Sequence, residues 1–468
     1  MPTLTSGINI ALQAVLTQAH VMEITEHNIA NASTPGYRRQ AAKLSATVAS
    51  LNSGLDYISG AGQRGTGVTI DRIQRFNLEF FDTRYRSVTA ETKYWDAQSS
   101  VLHQTEATLA ETGADGMLPK LDQFWSSWQT LSNDPTNITQ RQILLDDASS
   151  LANAFNRRSA QITQLRSDQS LVVSSQVDEV NSLADQVSKL NGQISHVLSV
   201  GEQPNDLLDK RDLVLDRLSE LTGSVSFNQK NGEMMVSIGG HALVVGHEAF
   251  KLETRPSATD VSIVDVYWSS DNQKLIPAGG EIKGTLDVRD NVLKSQLDGL
   301  NTLASGLITQ VNGIHTTGYR LNGALGTKFF DGTNANDIAV FSTLTPDGIA
   351  ASGDPDPLAV GNNAKAMEIV ALKTFKGMPN TTTLNEYYNM QISQLGVATK
   401  RATDNNTQYG LVAKALSDQR ESVSGVSLDE EAANMATAQK AYQAAARVLT
   451  AYDDLLDTVI NRMGLVGR

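Results

Sequence analysis

His20, Glu23 and His27 fall at i, i+3 and i+7, which on a helix turns two imidazoles and a carboxylate to one face, a set able to hold zinc. A solvated polar face opposite an apolar stripe explains the same spacing, and that is the expectation. His241, His247 and Glu248 lie in a segment that reads as hairpins and are expected to be ordinary surface groups. Asp331-Gly332-Thr333-Asn334-Ala335-Asn336-Asp337 has the composition of a calcium loop but lacks the bidentate Glu at the twelfth position, so turn chemistry is expected. Gly60-Ala61-Gly62-Gln63-Arg64-Gly65 matches GxGxxG. A dinucleotide site needs a helix after the glycines to meet the pyrophosphate, whereas Val68-Thr69-Ile70-Asp71 reads as a strand. Asp206, Asp209, Asp212 and Asp216 have the look of paired acid–base carboxylates. Leu207, Leu208, Val214, Leu215, Leu218 and Leu221 interleave with them at helical spacing, and Lys210, Arg211 and Arg217 alternate in sign. That pattern predicts a salt-laced outer face on an amphipathic helix. GxSxG, HExxH and the phosphate-binding P-loop are absent from the sequence. No catalytic, cofactor-binding or metal site is expected, and the chain reads as a non-enzyme.

Composition narrows the classes further. The 468 residues suffice for two to four domains, and 40% hydrophobic content supports real cores. Lys and Arg number 38 against 51 Asp and Glu, so 38 − 51 gives −13, a balance unsuited to nucleic acid or anionic lipid. With no cysteine, disulfides and thiolate sites are excluded. No stretch approaches the roughly 18 apolar residues of a membrane span. The first basic residue is Arg38, so the N-terminus lacks the charged start of a secretory signal. If the chain leaves the cytoplasm, it is expected to do so without a cleaved general-secretion peptide.

The elements that would position any site are clearest at the two ends. Ile8, Leu12, Val15, Ala19, Met22, Glu26 and Ile29 alternate by four and three, as one helical stripe does, with Glu26 the misfit. Leu428, Glu431, Met435, Ala438, Tyr442, Ala445, Leu449, Tyr452, Leu456, Val459, Met463 and Val466 keep the same alternation, with Glu431 the charged intruder. Ser427 and Glu430 read as a capping box after the helix break at Gly425. Thr34-Pro35-Gly36 stops the first helix in a type II turn. A long helix is predicted from Leu144 to Val197 with a one-residue slip at Val172/Val173, and another from Leu384 to Val423. Leu121, Phe124, Trp125 and Trp128 mark a core-facing helix over Leu118–Leu131. Residues 225–285 read as strands, with turns at Asn231-Gly232 and Gly239-Gly240, before helix returns at about Leu286–Ile314. The fold class is α+β: a nested multidomain chain that goes out through helices, builds a β-rich unit and comes back through helices. The terminal helices are expected to pair as a coiled coil. The boundaries are 1–37 plus 426–468 for the terminal pair, 38–223 plus 284–425 for a helix-rich domain with some β structure, and 224–283 for an inserted outer β-rich domain.

The run Asn28-Ile29-Ala30-Asn31-Ala32-Ser33-Thr34-Pro35-Gly36-Tyr37 closely resembles the N-terminal signature of bacterial flagellar axial proteins, the rod, hook and hook-associated proteins. Ser424–Met435 and Gln439-Lys440-Ala441-Tyr442 look like the C-terminal half of that signature. Asn205-Asp206-Leu207-Leu208-Asp209-Lys210-Arg211-Asp212, and Gly279-Gly280-Glu281-Ile282-Lys283-Gly284 with Asp287-Val288-Arg289-Asp290, resemble segments of the hook-associated protein 1 family. The chain looks compact for that family, as if one outer β domain were reduced or absent.

The resemblance implies a structural, self-assembling component of the extracellular flagellum at the hook–filament junction. Its implied partners are sister copies, the hook protein, the second hook-associated protein, and an export chaperone with the type III export apparatus. It also implies that Asn28, Asn31, Thr34, Pro35, Gly36 and Tyr37 form the joint where the inner helix turns outward. A rod or hook subunit and, from another class, a cytoplasmic coiled-coil adaptor are the competing readings. Ordering costs about 1–2 kcal/mol per residue, and a buried seam side chain returns only about 1.5–3 kcal/mol. The termini are therefore expected to be largely disordered in the monomer and to fold as neighbours supply the missing contacts.

Overall fold

The computed structural model describes residues 2–48, 65–109, 113, 116–359 and 361–462. Met463, Val466 and the glycine motif from Gly60 to Arg64 lie outside them. The fold is α+β with helix dominant. Helix α1 (Pro2–Asn31) leads into an antiparallel hairpin of β1 (Gln40–Ala46) and β2 (Val68–Arg75). Then come α2 (Glu79–Thr108), α3 (Met117–Asn133), α4 (Ile138–Ser199) and α5 (Asn205–Thr222). Strands β3 (Val225–Asn228), β4 (Met234–Ile238), β5 (His241–Val245) and β6 (Glu248–Ala249) form a four-stranded sheet in that order, and β7 (Leu252–Pro256) pairs with β8 (Val264–Trp268). Helix α6 (Gly280–Asp287) runs through a π turn at Val288–Leu293 into α7 (Lys294–His315). After a small pair of β9 (Phe330–Asp331) and β10 (Ala339–Val340) and then α8 (Ala364–Ala371), α9 (Leu384–Ser424) and α10 (Leu428–Asp457) follow.

At about 1.5 Å per residue, α4 is a rod of roughly 90 Å, and it carries both cores. Its first half packs with α3 and α7, and α9 joins the same core from α2 and α7. Here Phe124, Trp125 and Trp128 are fully buried against Phe329 and Phe330, the Phe124–Trp125 ring centroids being 5.0 Å apart. Its second half packs with α5 and the sheets through Val173, Val177, Val180, Ala184 and Val187. Helix α4 slips its seam where expected: Val172 is 41% exposed and Val173 buried. Beyond it the buried residues are Ala184 and Asn191, not Leu183 and Leu190, because a straight helix drifts from a strict seven-residue repeat.

The β unit is tied to this rod by amides. Asn191 donates to the carbonyls of Met234 and Gly246 at 2.8 Å each and accepts from Met234 N–H at 3.0 Å. Ten residues earlier, Asn181 pairs with Leu252 backbone in both directions. The glycines at its base have a steric reason. A Cβ on Gly280 (φ +78°) would lie 2.6 Å from the Leu221 carbonyl carbon, and one on Gly223 (φ +64°) 2.6 Å from Gly279 N.

Several boundaries differ from the sequence reading. Helix resumes at Gly280 instead of Leu286, since Ile282 is drawn into the second core. Strand β8 starts at Val264, because Ser257–Ile263 closes a turn through Ser257 N–H to Ile263 C=O, 2.9 Å. Ser427 does accept from Glu430 N–H, at 3.4 Å, but the Glu430 carboxylate takes Arg39 at 2.9 Å instead of completing a capping box. The full box heads α9, between Thr383 and Glu386.

Candidate functional site

The two ends of the chain meet at Asn28. This side chain is 1% exposed and makes four hydrogen bonds. Its amide donates to Gln40 C=O (2.8 Å) and to the Glu431 carboxylate (3.0 Å), and its carbonyl accepts from Gln40 N–H (3.0 Å) and the Tyr37 hydroxyl (2.8 Å). One residue thus ties α1, the turn, β1 and α10 together. Asn31 donates to His27 C=O and accepts from the Thr34 hydroxyl, ending the helix. Tyr37 N–H then bonds Thr34 C=O with Gly36 at φ +79°, the left-handed position that a Pro-Gly type II turn requires. Burial, reinforced by Asp206, Asp209 and Glu431, pushes the Tyr37 phenol up, so it remains the donor Asn28 needs.

Glu431, the charged intruder in the C-terminal stripe, is the other half of the clasp. It is 2% exposed and also accepts from Arg39 Nε at 2.7 Å. Arg39 bonds Ser424 C=O through its backbone N–H, so α9, α10 and β1 converge on one residue.

Behind the clasp, three of the four α5 aspartates overturn the outer-face reading, which holds for the exposed Asp206 alone. Asp209, Asp212 and Asp216 are all buried and face arginines from four other segments. Arg75 bonds Asp209 and Asp212 at 2.5 Å each; Arg86 bonds Asp216 at 2.6 Å and Asp212 at 3.1 Å. Arg38 forks onto Asp82 at 2.6 and 2.9 Å, and Arg420 reaches Asp216 at 2.7 Å. Burial would raise the Asp212 carboxyl, yet Arg75, Arg86 and Arg38 hold it down at about 2. Leu215, Leu218 and Leu221 of the same helix are buried too, so the face that carries Asp209, Asp212 and Asp216 is enclosed and its charges survive only by pairing, while Leu213 on the other side is 46% exposed. Arg211 turns away to Asn191 and Gly232 C=O, and Arg217 lies toward Glu179 and Glu220.

The expected stripes fare unequally. On α10, Met435, Ala438, Tyr442, Ala445, Leu449, Tyr452, Leu456 and Val459 are the shielded positions and Leu428 is 56% exposed, since α1 ends opposite Glu431 and leaves it uncovered. On α1, Ile8, Val15, Ala19 and Met22 are half-buried, while Leu12 and Ile29 are 43% and 38% exposed. The buried residues there are Ala11, Thr17, Thr25 and Asn28. The displacement has a cause: α1 lies between α10 and the hairpin, and Thr17 donates to Val68 C=O. The ring of Tyr452 lies against Gly7, where a Cβ would collide.

His20 pairs with Glu23 at 3.2 Å, but His27 turns to the Tyr37 hydroxyl at 3.0 Å, so the three do not converge. His241 stacks on Trp268, and His247 pairs with Glu233 at 3.1 Å. Asp337 caps its own turn through Thr333 and Asn334 N–H. Among the described residues no cluster of metal-capable side chains assembles, and no helix is long and apolar enough to cross a membrane.

Residues 102–330 match the model of the helical domain of flagellar hook-associated protein FlgK, and residues 417–463 that of the C-terminal segment of flagellar basal body rod FlgEFG proteins. Flagellar hook-associated protein 1 of Bacillus subtilis strain 168 is 30% identical, with 99% of each chain covered. The chain belongs to the flagellar hook-associated protein 1 family. The Escherichia coli K12 member is 23% identical, covering 98% of this chain and 100% of its own. That alignment spans 555 positions, more than the 468 residues here, so the relative carries segments this chain lacks. The structure of the flagellar hook junction protein FlgK from Burkholderia pseudomallei superposes with a TM-score of 0.65 at 17% identity, covering 73% of this chain and all of that one. The hook-associated family resemblance read from residues 205–212 and 279–290 falls on the buried ion-pair layer and on the glycine crossing under the β unit.

Proposed function

We propose that this chain is a structural subunit of the hook–filament junction that assembles with copies of itself on the hook tip and presents a platform for the second hook-associated protein. The reading rests on its family and on one observation: α1 and α10 are clasped at Asn28, Glu431 and Arg39, while much of their apolar surface, including Leu12, Leu16, Val448 and Leu455, stays exposed. A helix pair that packs along one side and leaves its outer apolar side chains bare is built to be completed by neighbours. In this proposal residues 1–37 and 426–468 form the paired inner coiled coil, 38–223 and 284–425 the surrounding helical domain, and 224–283 the outer β unit, compact because an outer β domain present in longer relatives is missing. The assembly contacts are the two terminal stripes, with Asn28–Tyr37 as the joint. The chain acts by binding and shape, without catalysis. It leaves the cell unfolded, without a cleaved signal peptide, through the type III export apparatus with a chaperone on its C-terminal helix.

Electron microscopy of cells lacking the chain tests this. Intact hooks with filament subunits shed into the medium are expected. Missing hooks would favour a rod or hook subunit, a reading supported by the rod-protein match at residues 417–463.

A further inference from the structure

The last turns of α1 bring two hydrogen-bond acceptors face to face. Around Asn28 the backbone fixes which group donates. Gln40 N–H has to donate and Gln40 C=O has to accept, so Asn28 turns Oδ1 to the first at 3.0 Å and Nδ2 to the second at 2.8 Å. The Tyr37 hydroxyl then gives its one hydrogen to Oδ1, at 2.8 Å. Burial, with Asp206, Asp209 and Glu431 nearby, keeps that phenol protonated. Toward its other neighbour, His27 Nδ1 at 3.0 Å, the hydroxyl oxygen can only accept. Nδ1 therefore carries the hydrogen, and in the neutral ring Nε2 is left with a lone pair.

That lone pair faces the first turn of α5, where Asp206 Oδ2 lies 3.9 Å from Nε2. A carboxylate only accepts, and the other Asp206 oxygen already takes a Gln40 Nε2 hydrogen at 2.9 Å. On α1 itself, Glu23 stands a turn earlier and holds His20 at 3.2 Å. Asp209 of α5 and Glu431 of α10 lie behind Tyr37. The hairpin's Arg75 is engaged by Asp209 and Asp212, and Arg39 before it by Glu430 and Glu431. Beside the ring the hairpin presents Gln40, Ile70 and Ile73, none of which titrates. A proton on Nε2 is what converts the opposition of His27 and Asp206 into a bond between α1 and α5.

We propose that His27 is a proton-operated latch between the end of α1 and α5. Protonated at Nε2, it draws the Asp206 carboxylate in and ties α1 and its turn to the body; neutral, it offers that carboxylate no hydrogen and the tie is open. The tie is therefore present below the range in which an imidazole titrates, about 6.5 for an unperturbed one, and is lost as pH rises through it. Both side chains are partly exposed, 44% and 60%, so the tie has the strength of a surface pair and tunes the joint without deciding the fold. The clasp holds the two ends to each other, whereas the latch sets how firmly the first of them sits on the body. It follows from hydrogen-bond directions within one copy and does not depend on the junction reading.

Nitrogen NMR of the full chain with 15N-labelled imidazoles tests the first half. At about pH 8 the His27 ring, assigned through His27→Gln, should be the Nδ1–H tautomer, although a free imidazole side chain prefers the other. Tyr37→Phe, which removes the acceptor, should return it to Nε2–H. Hydrogen exchange of the same chain tests the tie. Corrected for intrinsic rates, α1 amides from Thr25 to Asn31 should be about two- to fivefold better protected at about pH 5.5 than at about pH 8, the scale of one exposed charge pair. Asp206→Ala should abolish that difference. A predominant Nε2–H tautomer in the unmodified chain, protection that does not rise on acidification, or a rise that survives Asp206→Ala overturns the inference and leaves the junction reading standing.

Discussion

Helices α4 and α10 are both long and amphipathic, yet they end in opposite conditions. Helix α4 has a buried residue at nearly every turn from Arg141 to Ile194 and carries two cores. In α10 only Glu431 and Ala438 are fully buried, and one of these is a carboxylate clasp. The first helix is finished within one chain; the second is covered by α1 on one side only and awaits company. Similar periodicity in sequence therefore does not mean similar completeness in structure. What differs is how many neighbouring elements the same chain supplies.

Truncation should expose this contrast most sharply. Trp128→Ala in the aromatic core against α4 should cost about 3–5 kcal/mol and lower the melting temperature of the monomer by many degrees in calorimetry. Leu455→Ala on α10, 53% exposed, should leave monomer melting within about 0.5 kcal/mol of the parent while reducing assembly on hooks. Asp212→Asn should cost almost as much as the core truncation, about 3–5 kcal/mol, because it leaves Arg75 and Arg86 buried with one countercharge fewer. Urea midpoints of the two variants would rank them.

The clasp should behave differently from the body. Asn28→Ala removes four bonds, one of them to the buried Glu431 carboxylate, which keeps only Arg39, a loss of about 1–3 kcal/mol. The effect should be confined to the ends: faster protease cleavage within α1 and α10 with unchanged melting of the α3–α4 core. A single uniform drop in melting would show that ends and body fold as one unit.

Acid should act on the body first. His315 is fully buried, its Nδ1–H donating to Thr327 C=O and its Nε2 accepting from Ala350 N–H, and burial lowers it to about 4. The unfolded value is about 6.5, so its contribution is complete above that pH and disappears as pH falls from about 6.5 to 4. Asp212, held at about 2, contributes above its unfolded value of about 3.9 and is lost only between there and pH 2. Urea titrations from pH 7 to 4 should show falling stability, and His315→Gln should flatten the slope. Gly36→Ala should cost about 1 kcal/mol for the left-handed turn, less than any of the buried-site changes.

How legible these features were depends on whether their cause was local. The α10 stripe, the α3 aromatics, the α4 slip and the Gly232 and Gly239-Gly240 turns are set by residues a few positions apart, and the sequence shows them. The buried charge layer is not local. Asp212 meets Arg75 137 residues away and Asp216 meets Arg420 across 204, so the alternating signs on α5 read as a surface. Helix α2 is not legible in the sequence for a related reason: it lies between α5, α6 and α9, and buries Asp82, Arg86, Thr89, Gln98 and Ser99, which masks any apolar period. On α1, two neighbours on different sides shift the covered arc away from the strongest stripe. The one usable hint was the single charge in each terminal stripe, and Glu431 proved to be the clasp.

Hydrogen exchange of the same chain, free and assembled on purified hooks, tests the central claim most directly. Amides of α3 and the first half of α4 should be strongly protected in both states, whereas those of α1 and α10 should exchange quickly in the monomer and become protected on the hook. Protection of α1 and α10 in the free monomer equal to that of α4, unchanged by assembly, would contradict the account.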